Sequence, residues 1–190
     1  MATTTLRPAG AGNSTQLTAT GAGTNHGCVN ESSSDGDTTY VVTSIGNGTQ
    51  TDLYTIDANS IGVSDTINRI TVYLIARATA TGRLITANRV ITIRENSVTT
   101  YDASVALTTS YATYSKTWNT KPSNGTSWTK TDIDNLEIGV RLVINNNGGS
   151  AAARCTQVYV IVDYTPSGGG GSVSQKIIMP RQAIKRASNY

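Results

Sequence analysis

Apolar and polar residues alternate over several long stretches of this chain. The alternation is clearest in residues 70–78 (ITVYLIARA) and 89–94 (RVITIR), and this pattern is typical of β-strands that bury one face. Shorter stretches of strand character are 3–7, 38–43, 50–56, 98–101 and 112–118. The pattern therefore predicts many short strands with turn residues between them.

Two further strands are predicted at 136–144 and 154–164. Between them lies the sequence NNNGG at 145–149, and Asn and Gly readily adopt the positive φ that a tight turn requires. We therefore expect these two strands to pair as a hairpin.

The strand at 154–164 has two chemically different faces. Its three valines share one face with Thr156, whereas Cys155 and Gln157 share the other face with Tyr159. We expect the valine face to point into the core.

Helical periodicity is weak throughout the chain. Only residues 129–136 suggest a short helical turn, with Thr131 as its N-cap. Roughly eight to ten strands with frequent turn signals indicate an antiparallel two-sheet β-sandwich. A jelly roll is the preferred topology because eight strands in two sheets is its usual form, and an immunoglobulin-like arrangement is the alternative. We therefore predict an all-β, jelly-roll-like sandwich over residues 1–166.

The composition fits this fold and disfavours several others. Phe is absent, and only 14% of the residues are charged. The abundant Thr, Val, Ile and Tyr suit a pleated, half-buried surface. The apolar runs are far shorter than the ~18 residues of a membrane-spanning helix, and the N-terminus has no signal-peptide pattern. We therefore expect no membrane association.

The net charge of +3 is unevenly distributed. Residues 1–164 contain eleven basic and twelve acidic residues, whereas residues 165–190 contain four basic and no acidic residues. The basic character therefore belongs to the C-terminal segment and does not make the body a nucleic-acid binder.

Residues 167–172 contain a run of four glycines and predict a flexible linker. Residues 173–190 then form an extended arm that combines apolar anchors with basic residues. We expect this arm to bind a protein partner, with charge steering the encounter. Its predicted contact residues are Lys176, Ile177, Ile178, Met179, Arg181, Ile184, Lys185 and Arg186.

Candidate catalytic and metal sites are few. The single histidine, His26, is close in sequence to Cys28, but no third group that would orient such a pair is evident. Cys28 and Cys155 are interpreted as two buried free thiols, with a long-range disulfide as the alternative. Asp35 and Asp37 either form a simple turn before a strand or bind calcium through hard oxygen ligands. No other cofactor is expected, and we do not expect an enzyme.

The aromatic residues offer one further candidate site. Tyr114, Trp118 and Trp128 either stack on a glycan at the surface or fill a core that has no phenylalanine. A carbohydrate-binding module that recognises a host-surface glycan is therefore the alternative function.

Four strings of residues resemble a β-sandwich domain family of tailed-phage structural proteins. They are 5–10 (TLRPAG), 35–41 (DGDTTYV), 136–141 (LEIGVR) and 155–164 (CTQVYVIVDY). The resemblance covers about residues 3–165, and it carries over no catalytic residue. One departure is the sequence HGC at 26–28, a stretch in which the family usually has a Trp.

The resemblance implies a non-enzymatic virion protein, either a capsid decoration (cement) protein or a tail or fibre accessory protein. It also implies assembly in the host cytoplasm and contact with major capsid or tail proteins. Because decoration proteins on icosahedral shells are often trimeric, we expect a homo-oligomer and specifically a trimer.

Overall fold

The computed structural model describes residues 1–44, 46–147 and 150–168. Twelve strands in these ranges form two antiparallel sheets of six strands each. A short 3₁₀-helix spans His26–Cys28, and a short α-helix, α1, spans Lys130–Asp134. The strands are β1 (Ala2–Leu6), β2 (Pro8–Thr15), β3 (Thr18–Thr20), β4 (Tyr40–Val42), β5 (Asn47–Ile56), β6 (Thr66–Ala78), β7 (Ile85–Glu95), β8 (Val98–Tyr101), β9 (Val105–Ala106), β10 (Ala112–Trp118), β11 (Glu137–Asn146) and β12 (Ala153–Thr165).

The order of the strands defines the topology. The first sheet has the order β10-β6-β12-β4-β3, with β1 also paired to β12, and the second sheet has the order β2-β5-β11-β7-β8, with β9 also paired to β7. Eight of these strands form nested pairs: β4 with β12, β5 with β11, β6 with β10, and β7 with β8. Nested pairs divided between two packed sheets make a jelly roll. The predicted fold class is therefore confirmed.

The predicted hairpin between residues 136–144 and 154–164 is wrong. β11 pairs with β5 and β7 in the second sheet, whereas β12 pairs with β6, β4 and β1 in the first. The intervening segment therefore crosses from one sheet to the other. The apolar faces of the two strands pack against each other across the sandwich instead of lying side by side.

The orientation of β12 is as predicted for its valines but not for its first half. Val158, Val160 and Val162 are fully buried, and Cys155 is fully buried as well. The β12–β6 register shifts between Cys155 and Gln157, which marks a β-bulge at Thr156. Because a bulge adds one residue to a strand of period two, side chains on its two sides reverse their faces. Cys155 therefore points into the core, contrary to the face predicted for it but in agreement with its interpretation as a buried thiol.

Helix α1 lies where a helical turn was predicted, but its N-cap is Thr129 and not Thr131. The Thr129 hydroxyl accepts a hydrogen bond from the backbone N–H of Asp132 at 3.2 Å. The Asp132 carboxylate in turn accepts from the backbone N–H of Thr129 at 2.9 Å. This reciprocal pair is a capping box, and it places Thr131 inside the helix.

The end of the described chain is tied to the body. β12 ends at Thr165, and the backbone N–H of Ser167 donates to Asp65 Oδ1 at 2.9 Å. Residues 169–172 of the predicted linker and the predicted arm at 173–190 lie outside the described residues.

Candidate functional site

The two tryptophans proposed as glycan-stacking residues lie in the core. Trp118 is 8% exposed and Trp128 is 3% exposed. The indole N–H of Trp128 donates to the backbone carbonyl of Trp118 at 3.2 Å, so its polar atom is satisfied internally. Neither ring therefore presents a face to a surface glycan, and the alternative interpretation as core residues describes them correctly.

Tyr114, the third stacking candidate, lies on β10, an edge strand of the first sheet. It is half-buried, and the Arg89 guanidinium lies 4.6 Å from its ring centroid. Arg89 also pairs with Asp102 at 3.3 Å, and Asp102 pairs with Lys116 at 3.2 Å. Tyr114 is therefore part of a network that joins β7 to β10, which is a structural role.

Asp37, proposed as a calcium ligand, is surrounded by donors from the protein. Its carboxylate accepts hydrogen bonds from Arg77 at 2.7 Å, Arg154 at 2.9 Å and the Tyr111 hydroxyl at 2.8 Å. Burial by itself raises the pKa of Asp37, but these three hydrogen bonds outweigh it and lower the pKa to about 2. Two guanidinium groups at this distance repel a divalent cation, so the geometry favours an anchor for the loop.

Asp35, the second calcium candidate, points towards β12. Its Oδ1 lies 2.9 Å from the Thr156 hydroxyl, and its Oδ2 lies 2.8 Å from the Thr39 hydroxyl. Both carboxylates of the acidic loop therefore attach that loop to the first sheet. Among the described residues, no three His, Cys, Asp or Glu side chains cluster as metal ligands would.

Asp52 is a fully buried carboxylate that accepts four hydrogen bonds from neutral donors. Its Oδ1 accepts from the backbone N–H groups of Gln16 and Leu17 at 2.7 and 2.9 Å. Its Oδ2 accepts from the Asn25 amide at 2.6 Å and the Tyr54 hydroxyl at 3.0 Å. Burial, together with the charge on Asp52, raises the pKa of Tyr54 well above its usual value, so this hydroxyl stays a donor.

All twelve acidic residues lie in the described ranges, and each accepts at least one hydrogen bond or ion pair from the protein itself. Six pair with arginine or lysine: Asp37, Asp102, Asp132, Asp134, Glu137 and Asp163. The other six accept from backbone N–H, hydroxyl or amide groups: Glu31, Asp35, Asp52, Asp57, Asp65 and Glu95. The carboxylates therefore hold loops and strands together.

The two cysteines are free and buried. The Cys28 thiol donates to the backbone carbonyl of Thr20 at 3.3 Å, and burial raises the pKa of Cys155 to about 12. The ring of His26 lies 3.4 Å from the Thr24 hydroxyl. The geometry therefore supports the interpretation as buried thiols, and it does not assemble a Cys–His pair.

One concave feature that the sequence did not predict lies on the outer face of the second sheet, and it is smaller than two others of about 390 and 500 Å³. It is a cavity of about 260 Å³, here called the outer groove, between β2 and β8. Its lining includes Asn13, Gln16, Thr51, Leu53, Thr99 and Tyr101. These residues are far apart along the chain. The one feature of the sequence that could have indicated this cavity is the tyrosine at the end of the predicted strand 98–101.

The predicted arm residues, Lys176 to Arg186, lie outside the described ranges, so the partner-binding prediction stays a prediction. None of the helices in the described part of the chain is long and apolar enough to cross a membrane.

No protein-family model and no curated protein matches this chain. Among solved structures, it is similar to a family 16 carbohydrate-binding module, with 9% identity, a TM-score of 0.39, and coverage of 76% of this chain and 84% of that chain. It is also similar to the CBM22-1 xylan-binding domain of Paenibacillus barcinonensis Xyn10C, with 11% identity, a TM-score of 0.38, and coverage of 83% and 92%. A cyclase from Fischerella sp. TAU is similar at 12% identity and a TM-score of 0.39, with coverage of 66% and 62%. Likeness at this level carries no argument about function, and the jelly-roll assignment rests on the order of the strands.

Proposed function

We propose that this chain is a non-enzymatic structural protein of a bacteriophage particle, either a capsid decoration protein or a tail or fibre accessory protein. The observation that carries the proposal is that every side-chain carboxylate of the chain accepts hydrogen bonds or ion pairs from the protein itself. Eleven of the twelve accept from a donor in another strand or loop. Glu31 accepts from Thr39 in its own loop. General acid–base and glycosidase chemistry need carboxylates that face a substrate. This arrangement suits a rigid body better than a catalyst.

The resemblance to phage structural proteins supports the same proposal. Its strings at 136–141 and 155–164 correspond to β11 and β12, which are central strands of the two sheets. The string at 35–41 contains Asp35 and Asp37, whose contacts fasten a loop to the first sheet. The shared residues are therefore those that build the sandwich.

Attachment to the particle is assigned to residues 173–190. That segment contains all four basic residues of the C-terminal charge excess, next to Ile177, Ile178 and Met179. An extended segment binds well to an exposed sheet edge of another subunit through backbone hydrogen bonds. Many copies on a symmetric particle, or a homotrimer, add avidity to a weak single contact.

The test is deletion of residues 169–190 from the gene on the phage genome. This deletion keeps Ser167 and its contact with Asp65. We expect the thermal unfolding of the truncated body to match that of the full chain, and we expect the truncated protein to be lost from purified particles, as measured by mass spectrometry. A matched control carries residues 173–190 in scrambled order, which preserves the charge and the composition.

Three outcomes decide the proposal. If the full chain is absent from purified particles, the virion assignment is wrong. If the truncated chain is incorporated at full occupancy, attachment through the arm is wrong. Incorporation of the scrambled variant at the level of the full chain would mean that charge and composition are sufficient and would overturn a contact that depends on the order of the apolar and basic residues.

A further inference from the structure

One row of residues across the second sheet leads to the outer groove. Gly139 on β11 lies between Leu53 on β5 and Thr92 on β7 in the paired register. Tyr101 on β8 lies opposite Thr92 and continues the same row. Gly139 and Thr92 are buried, and the residues of this row that line the outer groove are Leu53 and Tyr101. The row therefore supplies the floor of the outer groove at Leu53 and one of its walls at Tyr101.

A bulge in β2 forms the opposite wall of the outer groove. The β2–β5 register shifts between Ala11 and Thr15, so the intervening residues leave the ladder. The backbone N–H of Asn13 donates to Glu137 Oε2 at 2.8 Å, and the Ser14 hydroxyl donates to the carbonyl of Thr51 at 2.8 Å. Hydrogen bonds therefore hold this wall in position over the sheet.

Tyr101 is held in place and is also accessible. The Arg141 guanidinium lies 4.7 Å from the ring centroid, within the range of a cation–π contact. Nevertheless, 48% of Tyr101 remains exposed. A tyrosine fixed in this way offers an apolar ring and a hydroxyl to a ligand at a low cost in conformational entropy.

The polar groups of the outer groove are neutral and partly oriented. The Gln16 amide oxygen accepts from the backbone N–H of Thr51 at 2.8 Å, which orients the amide and leaves its NH₂ group to donate elsewhere. Asn13, Thr99 and Tyr101 add a second amide and two hydroxyl groups. None of the described residues that line this cavity has a carboxylate.

Other classes of ligand fit this lining less well. Nucleic acid needs several unpaired cations, whereas Arg94 nearby is paired with Glu137 at 3.1 Å and Arg141 supplies a single guanidinium that lies against the Tyr101 ring. A protein partner needs an apolar core in its interface, whereas Leu53, the one large aliphatic residue of the lining, is only 2% exposed. A neutral ligand rich in hydroxyl groups matches these donors and the tyrosine ring.

We propose that the outer groove is a binding site for a neutral carbohydrate, with Tyr101 contacting a sugar ring and Gln16 and Asn13 donating to its hydroxyl groups. The site is different from the stacking site expected at Tyr114, Trp118 and Trp128. It does not depend on how the protein is attached to a particle.

The test begins with the full-length chain on an array of neutral and acidic glycans. The neutral hits are then titrated by calorimetry against Tyr101→Ala, Tyr101→Phe and Gln16→Glu. We expect Tyr101→Ala to weaken binding about tenfold or more, and Tyr101→Phe to weaken it by about threefold because the ring is kept. Gln16→Glu keeps the acceptor for Thr51 and removes the NH₂ donors, so we expect a loss of several-fold.

The matched control is Tyr40→Ala, which removes another half-buried tyrosine, one under Arg154 at 4.4 Å on the first sheet. We expect the control to bind with the affinity of the parent chain. The melting temperature of every variant is measured. If Tyr101→Ala does not fold, the affinities of Tyr101→Phe and Gln16→Glu test the proposal.

The proposal is overturned if the parent binds no neutral glycan, if acidic glycans bind more tightly, or if the groove variants bind as well as Tyr40→Ala. Each of these outcomes leaves the virion proposal standing, because that proposal rests on particle composition.

Discussion

Arg77 and Arg154 lie directly opposite each other on β6 and β12, and the carboxylate of Asp37 bridges their guanidinium groups. Two like charges at opposite positions of an antiparallel pair destabilise a sheet. The bridging anion comes from the loop before β4, so it offsets the cross-strand repulsion, and its attraction to both guanidinium groups holds this loop. Arg77 and Arg154 also stack on Tyr111 and Tyr40, at 5.1 and 4.4 Å from the ring centroids.

The first prediction concerns Asp37→Asn and its dependence on pH. The folded protein holds the pKa of Asp37 at about 2, below its ordinary value of 3.8. A lowered pKa gives stability that is present above pH 3.8 and is lost as the pH falls towards 2. Because Asp37 is partly exposed, we expect Asp37→Asn to cost only about 1 kcal/mol at pH 6.

Urea unfolding of the parent chain and of Asp37→Asn between pH 6 and pH 2 checks this prediction. The difference in unfolding free energy should shrink through the window from pH 3.8 to pH 2. A difference that stays constant over this range would show that the charge on Asp37 is not what stabilises the loop.

The second prediction concerns Asp52, the buried carboxylate with four neutral donors. In Asp52→Ala, the Asn25 amide, the Tyr54 hydroxyl and two backbone N–H groups lose their acceptor inside the core. We expect a loss of about 3 kcal/mol or more in the free energy of unfolding in urea. The control is Asp57→Ala at an exposed site where the backbone N–H of Arg7 donates, and we expect it to cost less than about 1 kcal/mol. Similar losses in the two variants would contradict the role assigned to Asp52.

The third prediction concerns the two thiols. Both cysteines are free and buried, and the raised pKa of Cys155 keeps its thiolate scarce at neutral pH. We expect a thiol reagent to label neither cysteine in the folded protein and both in urea, in the absence of a reductant. Reductant should leave the melting temperature unchanged. Fewer than two thiols in the unfolded protein would instead indicate a disulfide.

The fourth prediction concerns the close approach of β5 and β11. A Cβ atom at Gly139 would lie 1.9 Å from the backbone carbonyl oxygen of Asp52, so Gly139→Ala forces the two central strands apart. We expect a loss of about 3 kcal/mol in the free energy of unfolding. Gly23→Ala is the control because a Cβ atom there meets no atom within 4 Å, and we expect a change of less than about 0.5 kcal/mol. If Gly139→Ala left the free energy of unfolding unchanged, β5 and β11 would be able to move apart without destabilising the fold.

The local pattern of the chain determined which residues form strands and which face of most strands is buried. Val158, Val160 and Val162 show this, because a period of two is a property of each strand alone and requires no knowledge of its neighbours. The expectation of an all-β, two-sheet sandwich followed in the same way, from the number and spacing of strands, whereas the order of the strands makes it a jelly roll. The position of α1 was also predicted, although its cap was assigned two residues too late.

Only the tertiary structure decided which strands are neighbours. Turn residues at 145–149 allow the chain to reverse, but packing decides whether the next strand joins the same sheet, and β12 joined the other one. The bulge at Thr156 depends on the ladder with β6, so the orientation of Cys155 was invisible in its own segment. The outer groove likewise combines side chains from β2, β5 and β8. Such contacts between distant segments arise from the burial of faces against each other, and a pattern read along one strand contains no information about the partner.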